Sequence, residues 1–464
     1  MLAAFAALAR ADDLLQLPAD PKLDVTCPLR LETSNRAVRL QIINAARVAQ
    51  YGAFKPPAGR SLLLLSTEWE NAIPLKAVAE QKLATAYKIP NLADHLYLVA
   101  DGHQLLRLDP ATGRLPGHIP VNDFTIAKLG DRLTGNLLFN VPDGPIGSIE
   151  LHFYDFAHGH MSLVLGPPVA PAKPLAPPIA NEVISGAAYG IEKLPELKGH
   201  KLSPGMNFVR VDFCATSKFS TDADATAFDP KAKPGDKIKI GTVADWTDAM
   251  KYATLVVDGE YGYVPIADAS TLGAAPRFLP DVPTGGYLTF MAPANATSLE
   301  LRCDFPNAKT SDGKLMRPKG LTLPIEGTRP KLPEITPVAS IDDDIFQVQI
   351  GKEQALDQFA GTPAGANKKF VLLDVTVNNR HKDGEFFQAT QQLHFVAANG
   401  SQQNMHAAGL AGPHPPTDLV WVPPGERRSY QAVFLAASAD LAKPRLAYRG
   451  VSKAQIVELP TMQP

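Results

Sequence analysis

The stretch Ala366 to Asn379, ANKKFVLLDVTVNN, decides how this chain is read. Val371, Leu373, Val375 and Val377 recur at every second position, the period that places side chains on one face of a β-strand. Asn378-Asn379 then supplies a turn signal. Two earlier stretches follow the same plan, GRSLLLLSTEWEN from Gly59 and PGMNFVRVDFCATS from Pro204. Leu62, Phe208 and Phe370 fall in register across the three, as do Ser66, Asp212 and Asp374.

Working outward, each long strand is followed by a strand that enters a tight turn: HLYLVADGHQ from His95, ATLVVDGEYG from Ala253 and LHFVAANGSQ from Leu393. Asp101-Gly102, Asp258-Gly259 and Asn399-Gly400 are dipeptides that accept positive φ in two-residue hairpin turns. A phenylalanine-centred strand comes next, GNLLFNVP from Gly135, GYLTFMAP from Gly286 and YQAVFLAA from Tyr430, which aligns Phe139, Phe290 and Phe434. A last strand reads SIELHF from Ser148, SLELRC from Ser298 and PRLAYR from Pro444.

Two proline-containing stretches separate the copies, Gly166 to Ala180 and about Leu323 to Ser340. The first, GPPVAPAKPLAPPIA, is expected to be extended and semi-rigid. The expected architecture is all-β: three tandem immunoglobulin-like β-sandwich domains over residues 22–166, 181–325 and 341–460, joined by Pro-rich linkers. The competing reading makes only the third copy a sandwich, but the order of features matches as well as their identity. Few stretches read as helix. Asn71 to Lys88 predicts one after Pro74, as an insertion in the first segment, and Ala355 to Phe359 (ALDQF) predicts a single turn.

The third copy carries a resemblance. Its strand Asn367 to Asn379, then FVAANG (Phe395 to Gly400), then a Pro-Gly-Glu step (Pro424 to Glu426) before YQAVF, resembles a bacterial immunoglobulin-like domain family. That family occurs in secreted proteins and lipoproteins, including a secreted mycobacterial antigen. Asn367 stands where the family often has Gly, and Ala436 replaces its usual Pro. The resemblance covers about the last 120 residues well, the second segment loosely and the first only in its strand signatures. It implies a sandwich and an exported setting, and it implies no activity.

Composition agrees with such a fold. Of 464 residues, 45% are apolar, enough for packed interiors, and 42 prolines imply many loops and edges. A formal net charge of −2 leaves no electrostatic footprint for nucleic acid or an anionic membrane. No stretch reaches the roughly 20 apolar residues that span a bilayer. Residues 1–11 end in Ala9-Arg10-Ala11, which suits signal-peptidase cleavage before Asp12, although the usual positive start is missing; a short helical extension is the other reading. Cys27, Cys214 and Cys303 are too few for a disulfide scaffold, and Cys214 with Cys303 reads equally as a bridge or as two buried thiols.

Residues able to do chemistry are sparse. There is no phosphate loop, no dinucleotide fingerprint, no G-x-S-x-G elbow, no H-E-x-x-H helix and no C-x-x-C pair. The best cluster is HFYDFAHGH, with His152, Asp155, His158 and His160. In a hairpin His158 and His160 would share a face and His152 would approach across the strands, which makes a zinc or copper site conceivable. A merely polar hairpin tip is the favoured reading, because nothing else fixes these side chains around one ion. Asp342-Asp343-Asp344 is read as a solvated acidic run rather than a calcium joint, since the first linker lacks acidic residues. Asp212 and Asp374 are read as outward-facing, and Trp69, Trp246 and Trp421 as core anchors. His406 and His414 are more isolated.

The expectation is thus a non-catalytic exported protein without cofactor. Its modules would serve a structural, adhesive or partner-binding role at the cell envelope, alone or within a larger assembly. The insertion from about Asn71 to Asn91 is the first candidate contact for a protein or envelope-surface partner. The alternative is a metal-binding or enzymatic protein that uses the hairpin of His152 to His160.

Overall fold

The strand that opens the argument runs from Lys368 to Asn379, twelve residues, as do its counterparts Arg60–Asn71 and Met206–Ser217. Val371, Leu373, Val375 and Val377 are all buried and enter one core with Phe395, Phe434, Leu446 and Tyr448. The intervening Phe370 and Leu372 are buried too, on the opposite face with Ala364 and Val433. Burial on both faces explains the unbroken apolar run of the first copy. Leu63 and Leu65 join the main core, while Leu62 and Leu64 pack against Tyr51, Phe54 and Leu115. Each such side chain contributes about 1.5–3 kcal/mol.

The computed structural model describes residues 24–73, 85–155, 157–166, 173–227, 231–309, 313–332, 334–411, 414, 419–450 and 454–462. They are all-β, with two four-residue α-helices, Ala249–Tyr252 and Ala389–Gln392. One sheet holds Asp24–Ser34, Val38–Val48, Arg60–Asn71 and Arg132–Pro142 side by side; another holds Gly159–Val164, Ile149–Asp155, Leu96–Ala100 and Gln104–Arg107. Leu40, Leu63 and Phe139 of the first share a core with Leu98, Leu151 and Phe153 of the second, so the two sheets form a sandwich.

Among the described residues the same strand order recurs twice. Ile179–Ala180, Ile184–Leu194, Met206–Ser217 and Thr284–Pro293 are matched by Tyr261–Tyr263, Ala253–Val257, Leu299–Cys303 and Leu321–Glu326. Ala339–Asp342, Phe346–Leu356, Lys368–Asn379 and Arg427–Ala437 are matched by Gln402–Gln403, Leu393–Val396, Arg445–Arg449 and Ala454–Glu458. A short two-stranded ribbon also recurs, as Tyr87–Asn91 with Asn122–Ile126 in the first copy and Glu385–Phe387 with Val420–Val422 in the third. The aligned phenylalanines keep one register: Phe139 lies opposite Leu63 and Phe434 opposite Val371, the fourth residue of each long strand. Three strands in sequence stand side by side in each first sheet, with only the short ribbon Gln358–Phe359 and Thr362–Pro363 intervening in the third copy, whereas the immunoglobulin order sends its third strand to the opposite sheet.

The chain divides into two compact units: Met1–Lys173 with Cys214–Val243 and Phe278–Gly285, and Pro174–Phe213 with Ala244–Arg277 and Gly286–Pro464. This division is not the sequence segmentation, because the second segment contributes to both units. The hairpin Ser220–Asp224 with Lys237–Gly241, which has no counterpart among the described residues of the other copies, belongs to the first unit. There Leu279 and Val282 pack with Tyr97, Val99 and Tyr154.

The turns repeat as well. Asn35, Asn181 and Asp343 each accept two backbone N–H bonds through Oδ1, from Ala37 and Val38, Val183 and Ile184, and Ile345 and Phe346, at 2.6–2.9 Å. Asp101-Gly102 and Asp258-Gly259 both take positive φ, as a two-residue turn of the expected kind requires. In the third copy only Gly400 does: the loop closes over the same length, Ala397 to Ser401 as Ala100 to Gln104, but its Asn-Gly pair sits one position later.

Several expectations need correction. Ala355 to Phe359 is strand: Ala355 pairs with Val371 and Leu356 with Phe370, so sheet pairing outweighs the local helical tendency. Of the helix expected over Asn71 to Lys88, residues 74–84 lie outside the described residues, and Tyr87 and Lys88 are strand. Both linkers are shorter than expected. Ile179–Ala180 pairs with Ser185 and Gly186, and Leu321–Glu326 continues a sheet. Residues 1–11 and part of the first linker, 167–172, lie outside the described residues. Cys27, Cys214 and Cys303 are buried thiols, none in a disulfide. Asp212 is buried, not outward-facing, while Asp374 is exposed.

Candidate functional site

The hairpin that carries His152, Asp155, His158 and His160 pairs Ile149–Asp155 with Gly159–Val164, with His160 opposite Tyr154 and Ser162 opposite His152. Alternation sends Leu151 and Phe153 into the core with Asp155 on the same side, and His152 and Tyr154 to the other face. His160 stands on the His152 side. Nδ1 of His152 lies 3.0 Å from Nε2 of His160, and the rings stack at 5.3 Å and 13°. On the other face Asp155 Oδ2 accepts from the Tyr87 hydroxyl at 2.5 Å and lies 3.0 Å from His158 Nδ1. Its Oδ1 accepts the amides of Ala157 and His158.

The structure therefore brings the four residues together as two pairs on opposite faces. His158 and His160 do not share a face, because the turn at Gly159, with φ +102°, interrupts the alternation. Among the described residues no group of three or more His, Cys, Asp or Glu side chains is placed to hold a metal ion. Burial pushes the His152 imidazole well below its ordinary range, against the pull of Glu150, and lowers His160 likewise against Asp281 and Glu150. Burial also raises Asp155, but the hydrogen bonds of His158 and Tyr87 outweigh it and hold the carboxyl low. The first pair is thus neutral at neutral pH, and the second is a hydrogen-bonded carboxylate.

Asp343 is no loose acidic residue. Besides closing its turn it accepts the Tyr448 hydroxyl through Oδ2 at 2.6 Å, while Asp342 pairs with Arg380 at 3.0 Å. Trp69 and Trp246 are core anchors, with indole N–H bonds to Thr67 Oγ1 and the Asp304 carbonyl. Trp421 differs. It is 8% exposed, packs against Phe386 and Tyr252 at 5.0 Å, and lines a cavity of about 560 Å³ in the second compact unit. Other lining residues are Arg302, Asp304, Arg317, Lys319, Lys382 and Asp383.

Sequence reading missed this cavity and the ion network beside it. Arg302 Nη2 meets Asp304 at 2.9 Å and Nη1 meets Glu426 at 2.9 Å; Glu426 also binds Arg428, which is fully buried. Glu260 joins Arg427 at 3.2 Å and the Ser429 hydroxyl at 2.9 Å. His414 stacks on Tyr261 at 3.6 Å with its Nδ1 3.0 Å from the Tyr263 hydroxyl. Burial alone would raise Glu426, yet Arg428 and Arg302 hold its carboxyl below the usual range. Only the Pro-Gly-Glu step before Arg427 and Arg428 marked this place in sequence, and partners more than 100 residues away carry no local signal.

No protein-family model matches the chain, and no curated protein does. Among solved structures, a Bacillus subtilis protein provisionally described as a lipoprotein is 12% identical, with a TM-score of 0.23, over 26% of this chain and 38% of its own length. The yjhA protein from Bacillus subtilis is 10% identical, TM-score 0.20, over 27% of this chain and 98% of its own. An uncharacterised β-sandwich protein from Clostridium difficile is 11% identical, TM-score 0.19, over 28% of this chain and 99% of its own. No helix among the described residues is long and apolar enough to cross a membrane.

Proposed function

We propose that this is a non-catalytic exported protein whose three sandwiches, over residues 22–166, 181–325 and 341–460, are tandem immunoglobulin-like modules. They are immunoglobulin-like in architecture, two antiparallel sheets face to face, and not in strand order. The modules present binding surfaces to a protein or envelope-surface partner, alone or within a larger assembly. One observation supports this reading: sheet order, Asx turn bonds and phenylalanine register recur, while among the described residues the connections between strands differ. A scaffold kept constant with variable loops is how sandwich proteins present binding surfaces.

The first segment's insertion between Asn71 and Asn91 is the leading contact. The test compares capture from native envelope by the full chain and by a chain in which residues 74–84 are replaced with a short Gly-Ser linker. Loss of a specific, saturable partner supports the reading. Undiminished capture would sink the assignment of the insertion, and recovery of the protein solely from cytosol would sink the exported role.

A further inference from the structure

The cavity beside Trp421 has chemistry that the binding-module reading does not use. Its two lining carboxylates are already matched by arginines. Asp304 takes Nε and Nη2 of Arg302 at 2.9–3.1 Å, and Asp383 takes Nη1 of Arg317 at 2.6 Å. Lys319 and Lys382 also line it, and neither has an acidic partner among the described residues. The wall therefore carries two lysines that no carboxylate among the described residues neutralises. Phe305, Leu315 and Trp421 add an apolar surface, and Leu315 is 58% exposed, as expected of a rim residue that awaits a cover.

Trp421 is built into place. A Cβ at Gly384 would collide with Cε2, Cζ2 and Cη2 of its ring, so glycine lets the backbone lie flush against the indole. Gly320 does the same for the pair Arg302 and Asp304. The indole N–H is sealed from solvent and has no acceptor among the described residues, so the part of Trp421 that faces the cavity is its apolar surface. A volume of about 560 Å³ suits a small molecule.

We propose that this cavity binds a small anion with a planar apolar body, of the aromatic carboxylate or aromatic phosphate monoester class. The ring lies along Trp421 and Phe305 and the anion faces Lys319 and Lys382. A metal cation is disfavoured by the positive wall, and a bare anion leaves the apolar surface uncovered. The site adds a small-molecule ligand to the proposed function and does not depend on the tandem-module reading.

The test is calorimetric titration of the full chain with phenyl phosphate and with benzoate, which separates the two anion types, with inorganic phosphate and phenol as the component arms. Saturable binding of phenyl phosphate or benzoate is expected, with inorganic phosphate and phenol each at least about tenfold weaker. In the double variant Lys319→Ala, Lys382→Ala, affinity falls about tenfold or more while the thermal midpoint stays put, because both lysines are exposed. Gly384→Ala weakens binding through the displaced indole. No saturable binding of either aromatic anion, equal binding by either component alone, or an unchanged affinity in the double-lysine variant overturns the proposal.

Discussion

Asp101 and Ser148 hold each other twice: the Asp101 amide donates to the Ser148 carbonyl at 2.9 Å, and the Ser148 amide donates to Asp101 Oδ1 at 3.0 Å. Asp258 and Ser298 repeat the arrangement at 3.0 and 2.9 Å. The tight turn is thereby tied to the start of the last core strand. That explains why the Asp-Gly turn and the Ser-Ile/Leu-Glu-Leu strand recur together in the sequence. In the third copy Asp440 takes over, accepting the Ala398 amide at 2.8 Å.

Replacing the bracket aspartates is expected to cost stability. Asp101→Ala removes two hydrogen bonds, and Asp258→Ala removes three, including one from the Thr297 hydroxyl. Each substitution should cost about 1–3 kcal/mol, with Asp258→Ala the larger. Asn399→Ala, at an exposed turn position whose Oδ1 serves only the Ser401 amide, should change stability by less than about 0.5 kcal/mol. Urea unfolding midpoints check the ranking.

The last residue of each long strand is a second shared device. Asn379 donates to the carbonyls of Asp383 and Val422 and accepts the His381 amide; Asn71 does the same with Thr85, Ile126 and Ile73. Ser217 makes a reduced version, with the Thr242 carbonyl and the Phe219 amide. Asn379→Leu leaves several buried polar groups without partners and should cost about 3 kcal/mol, whereas Ser217→Ala should cost about 1 kcal/mol. Chemical denaturation of both variants measures the difference.

How much of this was legible follows from where each signal sits. Alternation at Val371 to Val377, the Asp-Gly turns and the aligned phenylalanines are local, and the structure keeps all three. ALDQF was misread because its partners, Phe370 and Val371, lie in another strand. The linker ends at Ile179 and Leu323 belong to edge strands that the proline-rich composition hides. The four hairpin residues were legible as a cluster, but not their separation, which depends on the turn at Gly159. Arg302, Glu426 and Trp421 meet only through tertiary packing, so no window of sequence shows them.

The stacked pair His152 and His160 makes stability depend on pH. The folded-state pKa of His152 lies below that of an unfolded histidine, about 6.5. Below that pH the unfolded chain takes up a proton that the folded chain resists, so stability is full above it and declines as pH falls. Asp155, held low by His158 and Tyr87, adds a further loss below its unfolded value of about 3.9. The urea midpoint should therefore drop between pH 7.5 and 5.5, and His152→Gln should flatten that part of the profile. A wild-type midpoint unchanged over this range would contradict the account.

Glu426 bridges Arg302 and fully buried Arg428. Glu426→Ala strands the buried Arg428 guanidinium, leaves Arg302 with Asp304 alone, and should cost about 3–5 kcal/mol. Because the network is sheltered, the loss should change little between low salt and about 0.5 M salt, where the Debye length is below about 5 Å. Urea titrations at both ionic strengths read this directly.

The central claim is that one bracketed sandwich scaffold is built three times over. Its most direct test is residue-resolved hydrogen exchange at Val38, Ile184 and Phe346, whose amides donate to Asn35, Asn181 and Asp343. The account predicts that all three are protected to a similar degree, at the level of the neighbouring sheet amides. Protection in the third copy alone, with Val38 and Ile184 exchanging as fast as open loops, would contradict it.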